Sequence, residues 1–384
     1  MRHVTSHTRY ILRSKPYVLH DPLRVVIFGY FGCENLGDET NLAELVFFLR
    51  KIRPGIGITV ISAAPGATAQ KLGVESVGKY DWPGIAGVFR KADLLIGGGG
   101  SLFQDRSSLR SLGYYVGLIF AARRSGLDMV LYGQGIGPVH SGIGKHLARW
   151  ALSQVQTITV RDRLSQLALE GLAVTGPRVH LTAEPLLLKD PVPESAVKSY
   201  WEEIPTGSGS KLGLIPLEFQ WLNASFWCQL LDALRRDNLQ LFLISTTKEE
   251  WRLNQGLSKK LGIPILPVRN CWETLQTAIG GLNLLVSARL HGLVAAVAQG
   301  TPCYGLAADP KIEGFCIPLR IAYCPLAPDT HPLLLSNRIL NGLKQAAASA
   351  KSRQSAPGFM KSRALRNQTI LKQVIMGRQP RGES

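Results

Sequence analysis

Apolar positions come as short unbroken runs separated by stretches of helical spacing, and this alternation organises the chain. Val25 to Phe28 make a run of the length and character of a strand buried on both faces. A glycine-rich turn follows, and residues 42–49 carry apolar side chains at helical intervals. The unit is strand, turn, helix. It recurs through "ITVISAAP" (58–65), "ADLLIGGGGSLFQD" (92–105), "DMVLYGQGIGP" (128–138), "TITVRD" (157–162) and "VHLTAEP" (179–185), each predicting a short strand. A second series runs "LGLIPLE" (212–218), "LQLFLIST" (239–246), "IPILPV" (263–268), "LNLLVSARLHG" (282–292) and "TPCYGLA" (301–307). Strands alternating with helices imply a mostly parallel sheet covered on both sides. Residues 188–211, rich in Pro, Ser and Gly, separate the series and predict a linker. The fold class is therefore α/β, with two Rossmann-like parallel-sheet domains facing a cleft. One domain spans 22–187 and the other 212–343, between a basic arm at 1–21 and a basic tail at 344–384 that reads as a frayed helix or arm.

Composition narrows the class. The 384 residues are enough for two domains of ordinary size, and 45% apolar content is ample for their cores. No apolar run approaches the roughly 20 residues of a membrane-spanning helix, and the first 20 residues lack the apolar block of a secretory signal, so a cytoplasmic location is expected. The cysteines (Cys33, Cys228, Cys271, Cys303, Cys316 and Cys324) form no CxxC pair, which suggests reduced thiols and neither a zinc site nor a disulfide framework. The net charge of +17 is concentrated at the ends: residues 344–384 hold nine Lys or Arg against one acidic residue, and residues 1–21 hold four against one. Such ends suit an anionic membrane face or polyphosphate, or they are simply solvated. Nucleic acid is not an expected partner, because Phe359 is the lone aromatic among the cations from Lys344 onward.

Candidate chemistry lies at strand ends, where ligands gather in open α/β sheets. In "GYFGCENLGDE" the glycines are spaced 3 and 5, unlike a dinucleotide fingerprint, and acidic residues at the helix entrance would repel a pyrophosphate. Asp38 is placed to accept a sugar hydroxyl's hydrogen bond or its proton; alternatively Asp38 or Asn35 caps the helix beside Gly37. In "GGGGSLFQD" the run that includes Gly98, Gly99 and Gly100 argues for close approach of backbone to a ligand or to the other domain, with Ser101, Gln104 and Asp105 at the rim. Gln134 is the polar contributor of "GQGIGP". Arg161 stands where a strand turns into a helix, fit either for a carboxylate or phosphate or for a salt bridge. Arg289 and His291 pair a permanent cation with a ring of ordinary pKa about 6.5, a combination suited to binding an anion and moving a proton. Lys311, with Asp309, adds a further cation past the next strand end.

Two α/β halves joined by one linker resemble the GT-B glycosyltransferase architecture. The segments "GYFGCENLGDE", "GGGGSLFQD" with Tyr114 and Tyr115, "GQGIGP", "VRD", "SARLHG" and "DPKIEGF" are similar, in content and order, to the polysaccharide pyruvyl transferase family over about residues 24–320. The resemblance implies transfer of a pyruvyl unit from phosphoenolpyruvate to two hydroxyls of a sugar in a polysaccharide or lipid-linked glycan, forming a ketal and releasing phosphate. The acceptor would sit on the N-terminal side and the donor on the C-terminal side. It places Arg161, Arg289, Leu290, His291 and Lys311 around the donor and Asn35, Gly37, Gly98, Gly99, Gly100, Ser101 and Gln134 toward the acceptor. His291 is expected as the acid, with Asp38 or Asp105 as base. No metal and no cofactor beyond the co-substrate is required by that scheme. One departure stands out: Glu184 precedes Pro185 where the family pattern has Asp. The rival reading is a GT-B glycosyltransferase with a nucleotide-sugar donor, whose chemistry has less use for an Arg-x-His pair.

Overall fold

The computed structural model describes residues 22–378 apart from 107, 220, 237, 269 and 349–357, so the expected basic arm at 1–21 lies outside the described residues. The first half opens with β1 (Arg24–Phe28), α1 (Leu36–Ile52), β2 (Gly57–Ser62), α2 (Pro65–Leu72) and β3 (Glu75–Gly78). It continues through α3 (Trp82–Lys91), β4 (Leu94–Gly97), β5 (Gly100–Phe103), α4 (Leu109–Arg124) and β6 (Asp128–Ile136), then α5 (Gly142–Leu152), β7 (Thr157–Val160), α6 (Arg163–Gly171) and β8 (Arg178–Leu181). These strands form one parallel sheet in the order β3-β2-β1-β4-β6-β7-β8, with β5 paired to β6. Residues 25–28 are buried on both sheet faces, which is why the strand reads as an unbroken apolar run.

After a 3₁₀ turn (Pro185–Leu188), the second half contains α7 (Glu194–Glu202), β9 (Ser210–Ile215), α8 (Ala224–Leu234), β10 (Leu239–Leu243), α9 (Lys248–Leu261) and α10 (Trp272–Gly280). It ends with β11 (Leu284–Ser287), α11 (Leu290–Gln299), β12 (Cys303–Ala307), α12 (Pro310–Leu319), β13 (Tyr323–Pro325), α13 (Pro332–Ala348) and α14 (Gly358–Met376). Its five strands are parallel in the order β10-β9-β11-β12-β13. The expected strand at 263–268 is reduced to a single bridge between Leu243 and Ile265, because Pro264 and Pro267 withhold the amides a ladder needs.

Each sheet is covered on both sides. Helices α3, α4 and α5 cover one face of the first sheet and α1 the other. Helices α10 and α11 cover one face of the second sheet, and α8, α9 and α13 the other. Two segments depart from expectation. The linker carries α7, whose Trp201 packs under α10 and donates its indole N–H to the Ala278 carbonyl at 3.2 Å. The supposed frayed tail contains α14, which returns to the first half: Leu371 and Ile375 are buried in the same core as Leu23, Leu42 and Leu49. Asn367, fully buried, fixes that return by donating to the Ala183 carbonyl at 2.8 Å and accepting from the Thr182 hydroxyl at 2.8 Å. The expected frayed helix or arm is corrected for residues 358–376, which form a packed helix, since a segment that buries this much apolar surface does not fray.

Candidate active site

The cleft between the halves encloses about 450 Å³ at the carboxyl ends of β1, β5, β7, β9, β11 and β12. Helix entrances shape its walls. Asn35 caps α1, accepting from the Asp38 amide at 3.5 Å, so the capping reading of Asn35 holds and Asp38 is left free to face the cleft. Asp162 caps α6 beside Arg161, and Thr247 and Asp309, which cap α9 and α12, line the same opening.

Arg161 is buried and held from several sides. One Nη sits 3.1 Å from Glu184 Oε2, the other donates to Ser101 Oγ at 2.9 Å, and Nε lies 3.6 Å from Asp162. Glu184 in turn accepts from Asn41 Nδ2 of α1 at 3.0 Å. The longer side chain at position 184 therefore still reaches the guanidinium, and the salt-bridge reading of Arg161 holds, with the residue also lining the cleft. From the opposite wall, Arg289 Nε lies 2.5 Å from Glu250, a nearly inaccessible carboxylate that also accepts from the Thr246 amide at 2.6 Å and hydroxyl at 2.9 Å. Lys311 lies 3.4 Å from Asp309, which Arg106 contacts from the first half at 3.1 Å.

His291 reaches across the cleft. A Cβ added to Gly37 would fall 1.9 Å from His291 Nδ1, so the imidazole packs against bare backbone of α1 where no other residue leaves room. Its Nε2 is buried with no hydrogen-bond partner among the described residues. Burial, then the nearby Arg161, Lys311 and Arg289, push the ring down to a pKa of about 3, so it is neutral at pH 7. Its ordinary value, expected from the sequence, does not survive this setting. Asp38 moves the other way: burial outweighs the attraction of Lys311 and Arg161 and raises its carboxyl to about 7. Burial and the two arginines lower Lys311, against the pull of Asp309 and Asp38.

The structure thus brings Asn35, Asp38, Gly100, Ser101, Arg161, Arg289, Leu290, His291 and Lys311 to one cleft. Others are placed elsewhere. Both Asp105 oxygens are taken by the 140–141 turn, accepting from the His140 amide and from the Ser141 amide and hydroxyl at 2.7–2.8 Å. Although burial works against it, these bonds hold the Asp105 carboxyl below its ordinary range, as befits a loop brace and not a base. Gln134 is fully buried and donates to the Gly98 carbonyl, supporting the glycine run from behind. Gly98 packs on the Phe31 ring and Gly99 on Asn41, leaving Gly100, at φ +106°, as the member of the run that lines the opening. Sequence reading missed Glu250, Thr246, Arg106 and Phe219; the last two stack with the guanidinium 4.4 Å from the ring centroid. Glu250 carried one signal, a Thr247-to-Glu250 spacing that reads as a helix-capping box and hides the carboxylate's second partner.

Two parallel α/β sheets facing a cleft make a GT-B-like fold, and comparison with solved structures agrees. Anabaena Alr3699/HepE in complex with UDP is 12% identical, with 93% of this chain and 100% of that one covered and a TM-score of 0.65. A putative UDP-N-acetylglucosamine 2-epimerase from Listeria monocytogenes is 11% identical, with coverages of 94% and 99% and a TM-score of 0.64. A glycosyltransferase from Rickettsia africae is 13% identical, with coverages of 92% and 99% and a TM-score of 0.57. No curated protein matches the chain. The chain belongs to the polysaccharide pyruvyl transferase family, whose model matches residues 35–310.

Proposed function

We propose that the protein transfers a pyruvyl group from phosphoenolpyruvate to two hydroxyls of one sugar in a polysaccharide or lipid-linked glycan, yielding a cyclic ketal and phosphate. The observation that carries this reading is the convergence of Arg161, Arg289 and Lys311 on a buried imidazole nitrogen that has no hydrogen-bond partner among the described residues, opposite a carboxyl that titrates near neutrality. A small donor with a carboxylate and a phosphate needs several cations at once, and the cleft has them on both walls. Burial and then the nearby cations depress His291, and the donor's negative charge offsets the cations, so the ring gains a proton when the donor binds. His291 then protonates C3 of the enol phosphate, and a sugar hydroxyl adds to C2 as Asp38 takes its proton. The second hydroxyl replaces phosphate at C2. Of the two hydroxyl protons, one ends in the new methyl group and the other on the departing phosphate. Arg161, Arg289 and Lys311 stabilise the charge that builds on the leaving oxygen. Neither a metal nor a nicotinamide enters this scheme.

The fold's likeness to proteins solved with UDP keeps a nucleotide-sugar donor as the second reading. Incubation with phosphoenolpyruvate or UDP-glucose and a panel of defined disaccharides separates the two. Inorganic phosphate release with a pyruvate ketal in the product is expected; nucleoside diphosphate release without it would replace the proposal. Substitution His291→Ala should abolish ketal formation with the fold intact, and activity within about tenfold of the parent would remove the acid role.

A further inference from the structure

We propose that the outer face built by α3, α4 and α5 is a docking surface for an anionic lipid bilayer, a function independent of the donor chemistry in the cleft. None of these helices contains Asp or Glu. Arg90 and Lys91 end α3, Arg123 and Arg124 end α4, and Lys145 and Arg149 lie along α5. None of these six cations has an ion-pair partner among the described residues. Interaction with the helix dipole accounts for cations in a last turn, as in α1, but α1 also holds Asp38, Glu39 and Glu44. The dipole does not account for what lies between the cations. Phe120 is 52% exposed and stacks with Trp150 at 6.0 Å, Ile143 is 65% exposed, and Trp82 also projects to solvent. The acids nearest in sequence are occupied: Asp81 caps α3 and Asp128 pairs with Arg378.

Cations interleaved with exposed aromatic and aliphatic side chains match an anionic headgroup layer over hydrocarbon. A hydrated polyanion would satisfy the charge and leave Phe120, Ile143 and Trp150 in water. Helix α4 links this face to the cleft, since Ser111 and Tyr115 line the opening while Phe120, Arg123 and Arg124 face outward. No helix among the described residues is long and apolar enough to cross a membrane, so the contact is one of adsorption.

The test is co-sedimentation of the full chain with vesicles of phosphatidylcholine alone or mixed equally with phosphatidylglycerol. Binding to the mixed vesicles and not to the neutral ones is expected. The combined Arg123→Glu, Arg124→Glu and Arg149→Glu variant should bind about 100-fold more weakly. A Phe120→Ser and Trp150→Ser variant should lose the binding that persists at high salt, where charge is screened. Arg366→Glu with Lys372→Glu, on the exposed side of α14, should bind like the parent. Failure of the parent to sediment with the mixed vesicles, undiminished binding by the charge-reversed variant, or an equal loss in the α14 variant would overturn the proposal. So would capture by soluble polyphosphate with the same affinity, together with vesicle binding at high salt that the Phe120→Ser and Trp150→Ser variant leaves unchanged.

Discussion

Asp38 and His291 titrate in opposite senses, and that opposition is measurable. Folded Asp38 keeps its proton up to about pH 7, whereas an unfolded aspartate releases it near 4. Its contribution to stability is fully present below about pH 4 and is lost as pH rises through 7. Folded His291 protonates near 3 and unfolded histidine near 6.5, so its contribution is present above about pH 6.5 and lost as pH falls toward 3. Relative to the parent, Asp38→Asn should therefore lose stability on acidification between pH 7 and 4, and His291→Gln should gain it. Thermal melts across that range at constant ionic strength check the two slopes; equal slopes would show that these groups do not carry the shifts. The donor reading adds a second outcome. Binding of phosphoenolpyruvate at pH 7 should take up protons, seen by calorimetry in buffers of different ionisation enthalpy, with less uptake in His291→Gln. At this scale the cations were legible in the sequence, because Arg161, Arg289 and Lys311 each stand at or just past the end of a strand run. Asp105 and Gln134 occupy equally suggestive positions, yet position along the chain does not say which way a side chain turns.

Helix entrances fix the cleft, and two of their residues act through neighbours. Alanine inside a helix ordinarily stabilises relative to glycine by about 1 kcal/mol. Gly37→Ala should do the reverse, by about 1–3 kcal/mol, since its Cβ would occupy the space of the His291 ring. A ring displaced by an ångström should cost about 100-fold in ketal formation, measured as the rate at saturating donor. Glu250→Gln removes the charge that aims Arg289, and is expected to raise the KM for phosphoenolpyruvate by about tenfold or more while sparing the melting temperature far less than Thr246→Ala would. Elements were less evenly legible than residues. Runs such as Val25–Phe28 announce buried strands, but Glu75–Gly78 is short and polar enough to read as a turn. The 263–268 segment looks apolar and extended while its prolines deny it a ladder.

Two halves share more than a boundary. Leu36 of α1 and Ala183, Leu186 and Leu187 at the crossover pack in one core with β9, α10 and α11, joined by Met360 and Ala364 of α14. Lys189 adds contacts of 2.9 Å to Glu44 and 3.1 Å to Glu273, one in each half. Leu371→Ala should therefore cost about 2–5 kcal/mol although it lies far along the chain from the core it fills, and it should lower the melting temperature of the whole protein in one transition. A separate early transition for one half would argue against the shared core. The division into two α/β halves was visible in the order of strand and helix signals. The return of the last helix was not: its many basic and polar positions mask the buried stripe of Ala364, Asn367, Leu371 and Ile375.

Leu23 and Ile375 meet in one core although nearly the entire described chain separates them. During synthesis, then, the earliest strands leave the ribosome with a greasy groove uncovered, and the piece that seals it is made only after the whole second half has been translated. Until that piece arrives, the nascent first half offers an apolar surface on which chaperones can act.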